Sequence, residues 1–275
     1  MSVPTVTLCA ALTKALPRQH GAWATLAAFY LLGVVAAWPP SGASLLVAAL
    51  VLALFVAHGG ITRVLSLRTN DPWRTPLVRT SLLLSALAVC LAAALWLTAP
   101  STGLVALGML GLALTSIAFA LERRGLDRTF VGELVGIVGL SVTLPLVAYV
   151  GHGSFDVARA ALWASAVMFF VGSILRVRYH VRARRAGPLT RGGRLRLMTP
   201  SLAFHLAALL VTAMAAEQDV LSFVMMVAWL PPLVGATYAV LVTRQPLGIR
   251  RVGLEEVILT VLFVAVSGIA VTRSS

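Results

Sequence analysis

Apolar stretches long enough to cross a bilayer recur along almost the whole chain with short gaps between them. No other feature constrains the fold as much. About 20 consecutive apolar residues cover the roughly 30 Å of a hydrocarbon core as a helix. The stretches predict helices at about 20–38, 43–62, 80–98, 103–121, 130–150, 160–176, 199–216, 220–242 and 255–271. Lipid offers the backbone no hydrogen-bond partners, so only helices or a closed barrel can span it. The ten-residue alternation of barrel strands is absent. The expectation is an all-α polytopic membrane protein of about nine transmembrane helices, one integral membrane domain over residues 1–275. Only 11% of residues are charged, against about 25% in a soluble domain. Pro231-Pro232 removes two backbone donors and should kink or break the eighth helix.

The formal net charge is +13, from 22 Lys and Arg against nine Asp and Glu. In a soluble chain that excess would point to nucleic acid. In a membrane protein it points to topology, because cytoplasmic loops collect Lys and Arg. On the predicted helices, 20 basic residues fall on one side of the membrane and only Arg159 and Arg273 on the other. The expected orientation has the amino terminus inside and the carboxyl terminus outside. Nucleic acid is not expected as a partner, and membrane lipids are. Lys14 and Arg18 follow the first short apolar stretch instead of preceding it, so no cleavable signal is expected. The connections at 63–79 and 177–198 are the longest and are expected to be functional loops.

Four places could carry chemistry. Pro17 to Ala24 (PRQHGAWA) puts Arg18 and His20 at headgroup depth, either as an interfacial anchor or as part of a site. His58-Gly59-Gly60, followed by Arg63, sets a titratable group beside glycines that allow close approach of a helix or a ligand. His58 and Thr62 are four apart and share a face. Glu133 is a carboxylate expected inside a span, paired either with Arg128 or with an Arg of another inner loop. Ser173, Arg176, His180 and Arg184 form one stripe if the sixth helix continues beyond the membrane, with Arg178, Arg182 and Arg185 on a second. Such a surface suits a phosphate or carboxylate, or anionic lipid. His205, deep in the seventh helix, reads as a bonded core residue.

Arg18, His20, Arg63, Arg176, His180 and Arg184 are thus candidate anion ligands, with His58 and Glu133 as candidate acid or base. If the ends bearing His20, His58, Glu133 and Arg176 converge, they line one cytoplasm-facing cavity. Cys9 and Cys90 stand outside any metal pattern, and no metal or cofactor is expected.

The stretch Leu16-Pro17-Arg18-Gln19-His20-Gly21-Ala22-Trp23-Ala24 resembles the opening signature of the YwiC-like family of bacterial membrane proteins. That resemblance implies no activity. More distantly, the helix count and the two long inner connections resemble the UbiA superfamily of intramembrane prenyltransferases. This likeness implies a cytoplasm-facing site after helices two and six. UbiA enzymes hold Mg²⁺ and a diphosphate there with Asp-rich motifs. This chain offers only Asp71 in the first connection, and Arg176, Arg178 and Arg182 where the second would carry aspartates. Three function classes stay open: a binder, or a divergent transferase, of an anionic lipid or diphosphate; a transporter of a small anion or metabolite; and a non-enzymatic accessory protein.

Overall fold

A computed structural model describes residues 7–17, 20–242 and 247–274. These residues form helices joined by short turns and contain no strand. In chain order the helices are α1 (Leu8–Ala15), α2 (His20–Ala36), α3 (Gly42–Ser66), α4 (Arg74–Thr98), α5 (Thr102–Arg123), α6 (Phe130–Ser141), α7 (Thr143–His152), α8 (Val157–Ala186), α9 (Arg191–Glu217), α10 (Val224–Val227), α11 (Leu230–Leu241) and α12 (Ile249–Ser274). Eight helical segments are long and apolar enough to cross a membrane, counting α6 with α7 and α10 with α11 as single spans. Gly21–Ala36 is a ninth apolar helix, slightly shorter. The chain is a multi-pass all-α membrane protein, and each predicted span has its helix.

Local signals place the helix starts. The hydroxyls of Ser101, Thr129 and Thr190 accept hydrogen bonds from the N–H groups of Gly103, Gly132 and Gly193, and the Asp156 carboxylate accepts one from Arg159 N–H. Such caps satisfy donors that the first turn leaves open. Prolines make the two breaks. Pro145 lies in the first turn of α7, just after the hinge at Val142. Pro231 and Pro232 lie in the first turn of α11, where their missing donors cost nothing. The eighth span is therefore discontinuous, as its Pro-Pro pair predicts.

Both long connections turn out to be mostly helix. α4 begins at Arg74, α8 continues to Ala186 and α9 starts at Arg191, so only residues 67–73 and 187–190 remain as links. Hydropathy reports where hydrocarbon ends, and an Arg-rich helix continues into water because arginine is a good helix former.

The main core gathers around α2. Phe29, Leu32, Leu144, Leu162, Phe169 and Trp229 are buried there together. Phe169 stacks on Phe263 at 4.2 Å between ring centroids, and Trp229 donates its indole N–H to Thr212 at 2.9 Å. Smaller clusters seal the periphery. Tyr179, Ala183 and Met198 close α8 and α9 onto Ala236 and Val240 of α11. Ala15, Val56 and Leu77 seat α1 on α3 and α4. The end of the bundle where α3, α5, α8 and α11 finish carries most of the arginines, and is called the basic end below.

Candidate functional site at the basic end

Side chains of three pairs of helices meet at the basic end, two of them through Arg–carboxylate ion pairs and one through a histidine–carboxylate contact. Arg176, on α8, is 5% exposed. Its Nε and Nη2 both donate to Oε1 of Glu256, on α12, at 2.8 and 2.5 Å. Ser173, one turn earlier on α8, donates to Glu256 Oε2 at 2.5 Å. A spacing of three puts both donors on the α8 face that meets α12. Nη1 of Arg176 faces Gly235 of α11, where an added Cβ would lie 3.6 Å away.

His180 follows one turn on from Arg176. It is 5% exposed, lies edge-on to Tyr179, and its Nδ1 has no hydrogen-bond partner among the described residues. The expected stripe from Ser173 through Arg176 and His180 therefore exists, and its last member, Arg184, is exposed. Arg182, Arg185, Arg191 and Arg196 are exposed beside it.

Arg178 stands two positions after Arg176, about 200° around the helix, and faces the other way. Its Nε donates to Glu133 Oε2 of α6 at 2.9 Å, and its Nη2 to the Arg128 carbonyl at 3.0 Å. Arg178 on α8 is thus the partner of Glu133, and Arg128 contributes only its backbone. The third pair joins α3 to α5: His58 Nε2 lies 3.4 Å from Glu122 Oε2, with Phe119 edge-on to the imidazole.

His58, Glu133 and Arg176 thus each have their own partner on a different helix pair, so the shared cavity expected from their depth is not formed by these three. Arg18 lies outside the described residues. His20 opens α2, and its side chain also lies outside them. Gly59 and Gly60 admit two helices: an added Cβ at Gly59 would sit 2.6 Å from the Ala15 carbonyl oxygen of α1, and one at Gly60 would collide with the Ser81 hydroxyl of α4. Arg63 donates to the Lys14 carbonyl at the end of α1, at 3.3 Å. Arg194 does the same for Val240 near the end of α11, and Arg159 for Ala36 at the end of α2, both at 3.1 Å. A cation there meets unsatisfied carbonyls and the negative end of the helix dipole. His205 is bonded, as its depth suggests, with Nδ1 2.6 Å from the Ser201 carbonyl oxygen.

Sequence reasoning missed Glu122 and Glu256. Both lie within candidate spans, because α5 runs to Arg123 and α12 starts at Ile249. The signal was present: a carboxylate in an apolar helix needs a partner. Among the described residues, no group of three or more His, Cys, Asp or Glu could hold a metal ion.

Residues 16–148 match the family model described as YwiC-like protein. The match runs from the end of α1 into α7 and includes His58, Glu122 and Glu133, but not Arg176 or Glu256. Neither the curated proteins nor the solved structures gave a match.

Proposed function

We propose that this is a multi-pass protein of the bacterial cytoplasmic membrane whose basic end binds an anionic ligand of phosphate or carboxylate chemistry. One observation carries this reading. α8 has 30 residues and α9 has 27, so at about 1.5 Å per residue both exceed a hydrocarbon core of about 30 Å. Their surplus is a helical hairpin at the basic end, closed by the Tyr179 and Met198 cluster and bearing exposed Arg182, Arg184, Arg185, Arg191 and Arg196. Arginine presents a planar donor fork that suits phosphate and carboxylate. The buried Arg176 serves differently: Glu256 neutralises it and it holds the hairpin's base to α12.

The test changes Arg182, Arg184 and Arg185 together to Gln in the full chain. Binding is then measured to inorganic diphosphate, to a polyprenyl diphosphate in detergent, and to phosphatidylglycerol vesicles. The expected result is at least about tenfold weaker binding of one of these. Loss confined to vesicles identifies lipid headgroups, and loss of soluble diphosphate identifies a discrete ligand. Unchanged binding of all three overturns the proposal. The transferase chemistry implied by the UbiA resemblance is not carried with it, because among the described residues no group of three or more His, Cys, Asp or Glu stands ready to hold a metal ion beside the arginines.

A second reading, a transporter, is favoured by the two interrupted spans, α6 with α7 and α10 with α11, since discontinuous helices line many transport sites. Counterflow in proteoliposomes with a panel of small anions tests it, and no flux with any of them removes it.

A further inference from the structure

Arg159 is one of two basic residues on the side of the membrane that the charge partition leaves almost without them. It stands in the first turn of α8, at the end of the bundle opposite the hairpin. Its Nε donates to the Ala36 carbonyl at the end of α2, and its Nη1 to the Asp156 carboxylate, which also caps α8. These two side chains form the rim of a cavity of about 200 Å³. The floor is apolar and buried, made by Ala36 of α2, Leu162 of α8 and Met225 of α10. Ser222, in the turn that leads into α10, closes one side. That turn is folded back on itself, with the N–H groups of Val220 and Leu221 both donating to the Ala215 carbonyl. Pockets for drug-sized ligands begin at about 300 Å³, so this one takes something smaller.

The rim selects the charge of what fits. Among the described residues, Asp156 and Arg159 are the charged members of the lining, and their charges cancel. Glu217 and Asp219 are exposed just before the turn and are not part of the lining. A ligand with a net charge would unbalance the rim, whereas one that carries both charges matches it. Both groups have capacity left. A guanidinium offers five N–H donors and a carboxylate about four acceptor sites. The contacts to Ala36, to Arg159 N–H and between the two side chains use two of each. The side chains of Arg159 and Asp156 are 20% and 52% exposed, so the unused positions can be reached.

We infer that this cavity binds a zwitterionic α-amino acid with a short aliphatic side chain. Its carboxylate takes the remaining donors of Arg159, its ammonium takes Asp156, and its side chain lies against Leu162 and Met225. Free anions meet Asp156 as a like charge, and amines without a carboxylate meet Arg159 in the same way. The inference concerns binding alone. It uses none of the hairpin arginines, and it holds whether or not the protein carries the ligand across the membrane.

Binding of radiolabelled leucine to the full chain in detergent tests it. The competitors are isocaproate, which is leucine without its amine, isoamylamine, which is leucine without its carboxylate, and glycine. Each should compete at least about tenfold more weakly than unlabelled leucine, as losing one charge-assisted contact or the apolar side chain would give. Asp156→Asn should weaken leucine binding and abolish its advantage over isocaproate. Ala158 is an exposed member of the same lining. Ala158→Phe should therefore block the cavity without disturbing the core, and lower leucine affinity at least about tenfold. The hairpin triple variant should bind leucine as the wild-type chain does. Absence of leucine binding up to about 1 mM overturns the inference. So does equal competition by isocaproate or isoamylamine, which marks a merely apolar pocket. Binding that survives Ala158→Phe places leucine elsewhere and overturns it as well. The competition series uses the wild-type chain, so it decides the matter even if Asp156→Asn fails to fold.

Discussion

Arg176 and Glu256, 80 positions apart in the chain, meet inside the bundle through two hydrogen bonds to a single carboxylate oxygen. Their side chains are 6% and 16% exposed, so neither charge is left to water. Removing one partner of such a pair strands the other and typically costs about 3–5 kcal/mol, whereas replacing both by apolar groups is often neutral. Arg176→Met and Glu256→Leu should therefore each lower the unfolding temperature in detergent sharply, and the double variant should recover most of the loss. Additive losses would show that the pair is not the interaction that matters.

The seat of α1 gives a second prediction. Valine at Gly59 would push a Cβ to 2.6 Å from the Ala15 carbonyl oxygen and 2.9 Å from Pro17 Cγ. Neither a backbone carbonyl nor a proline ring can swing aside, so α1 must leave. Lys14, whose ammonium lies 3.6 Å over the Trp73 ring, is the chain's single lysine. A lysine-specific protease should cut slowly there in the wild-type protein and much faster in Gly59→Val. Equal rates would mean that α1 is not held by this contact.

These two cases show what the chain reveals by itself. The spans follow from runs of apolar residues, and the charge partition orders them, because both are local properties. Partner choice is not local. Glu133 needs an arginine, but nothing short of the packed bundle distinguishes Arg178, 45 positions away, from Arg128, five positions away. The glycines at 59 and 60 signal a close approach without naming the bodies that approach, which are the short α1 at Gly59 and Ser81 of α4 at Gly60. Glu256 lies at the start of the ninth predicted helix, yet its role appears only when α12 is placed against α8. The hairpin was hidden because hydropathy falls where the membrane ends while the helices do not.

A third prediction concerns the core beside Arg176. An alanine at Gly172 would place its Cβ 2.9 Å from His205 Nε2. His205 is 1% exposed and tied to Ser201, so it has little room to move. Gly172→Ala should destabilise by about 1–3 kcal/mol, the usual cost of overpacking. Combining it with His205→Ala should cost less than the sum of the two, since the second change removes the ring that the new methyl group meets. Strict additivity of the shifts in unfolding temperature would exclude the contact.

The orientation gives the fourth prediction. The turn at 187–190 lies at the basic end, and the turn after α7 lies at the opposite end, because a single span, α8, separates them. Ser154 and Pro188 are both exposed, and neither sits at a left-handed position as Gly153 and Gly187 do. In a background with Cys9→Ser and Cys90→Ser, Ser154→Cys should react with a membrane-impermeant maleimide in intact cells. Pro188→Cys should react only after permeabilisation. The reverse pattern would turn the protein over and place the arginines outside, against the charge rule that orders the spans. Labelling of both sites in intact cells would mean that α8 does not cross the membrane, and the hairpin would then have to be explained without a bilayer at its base.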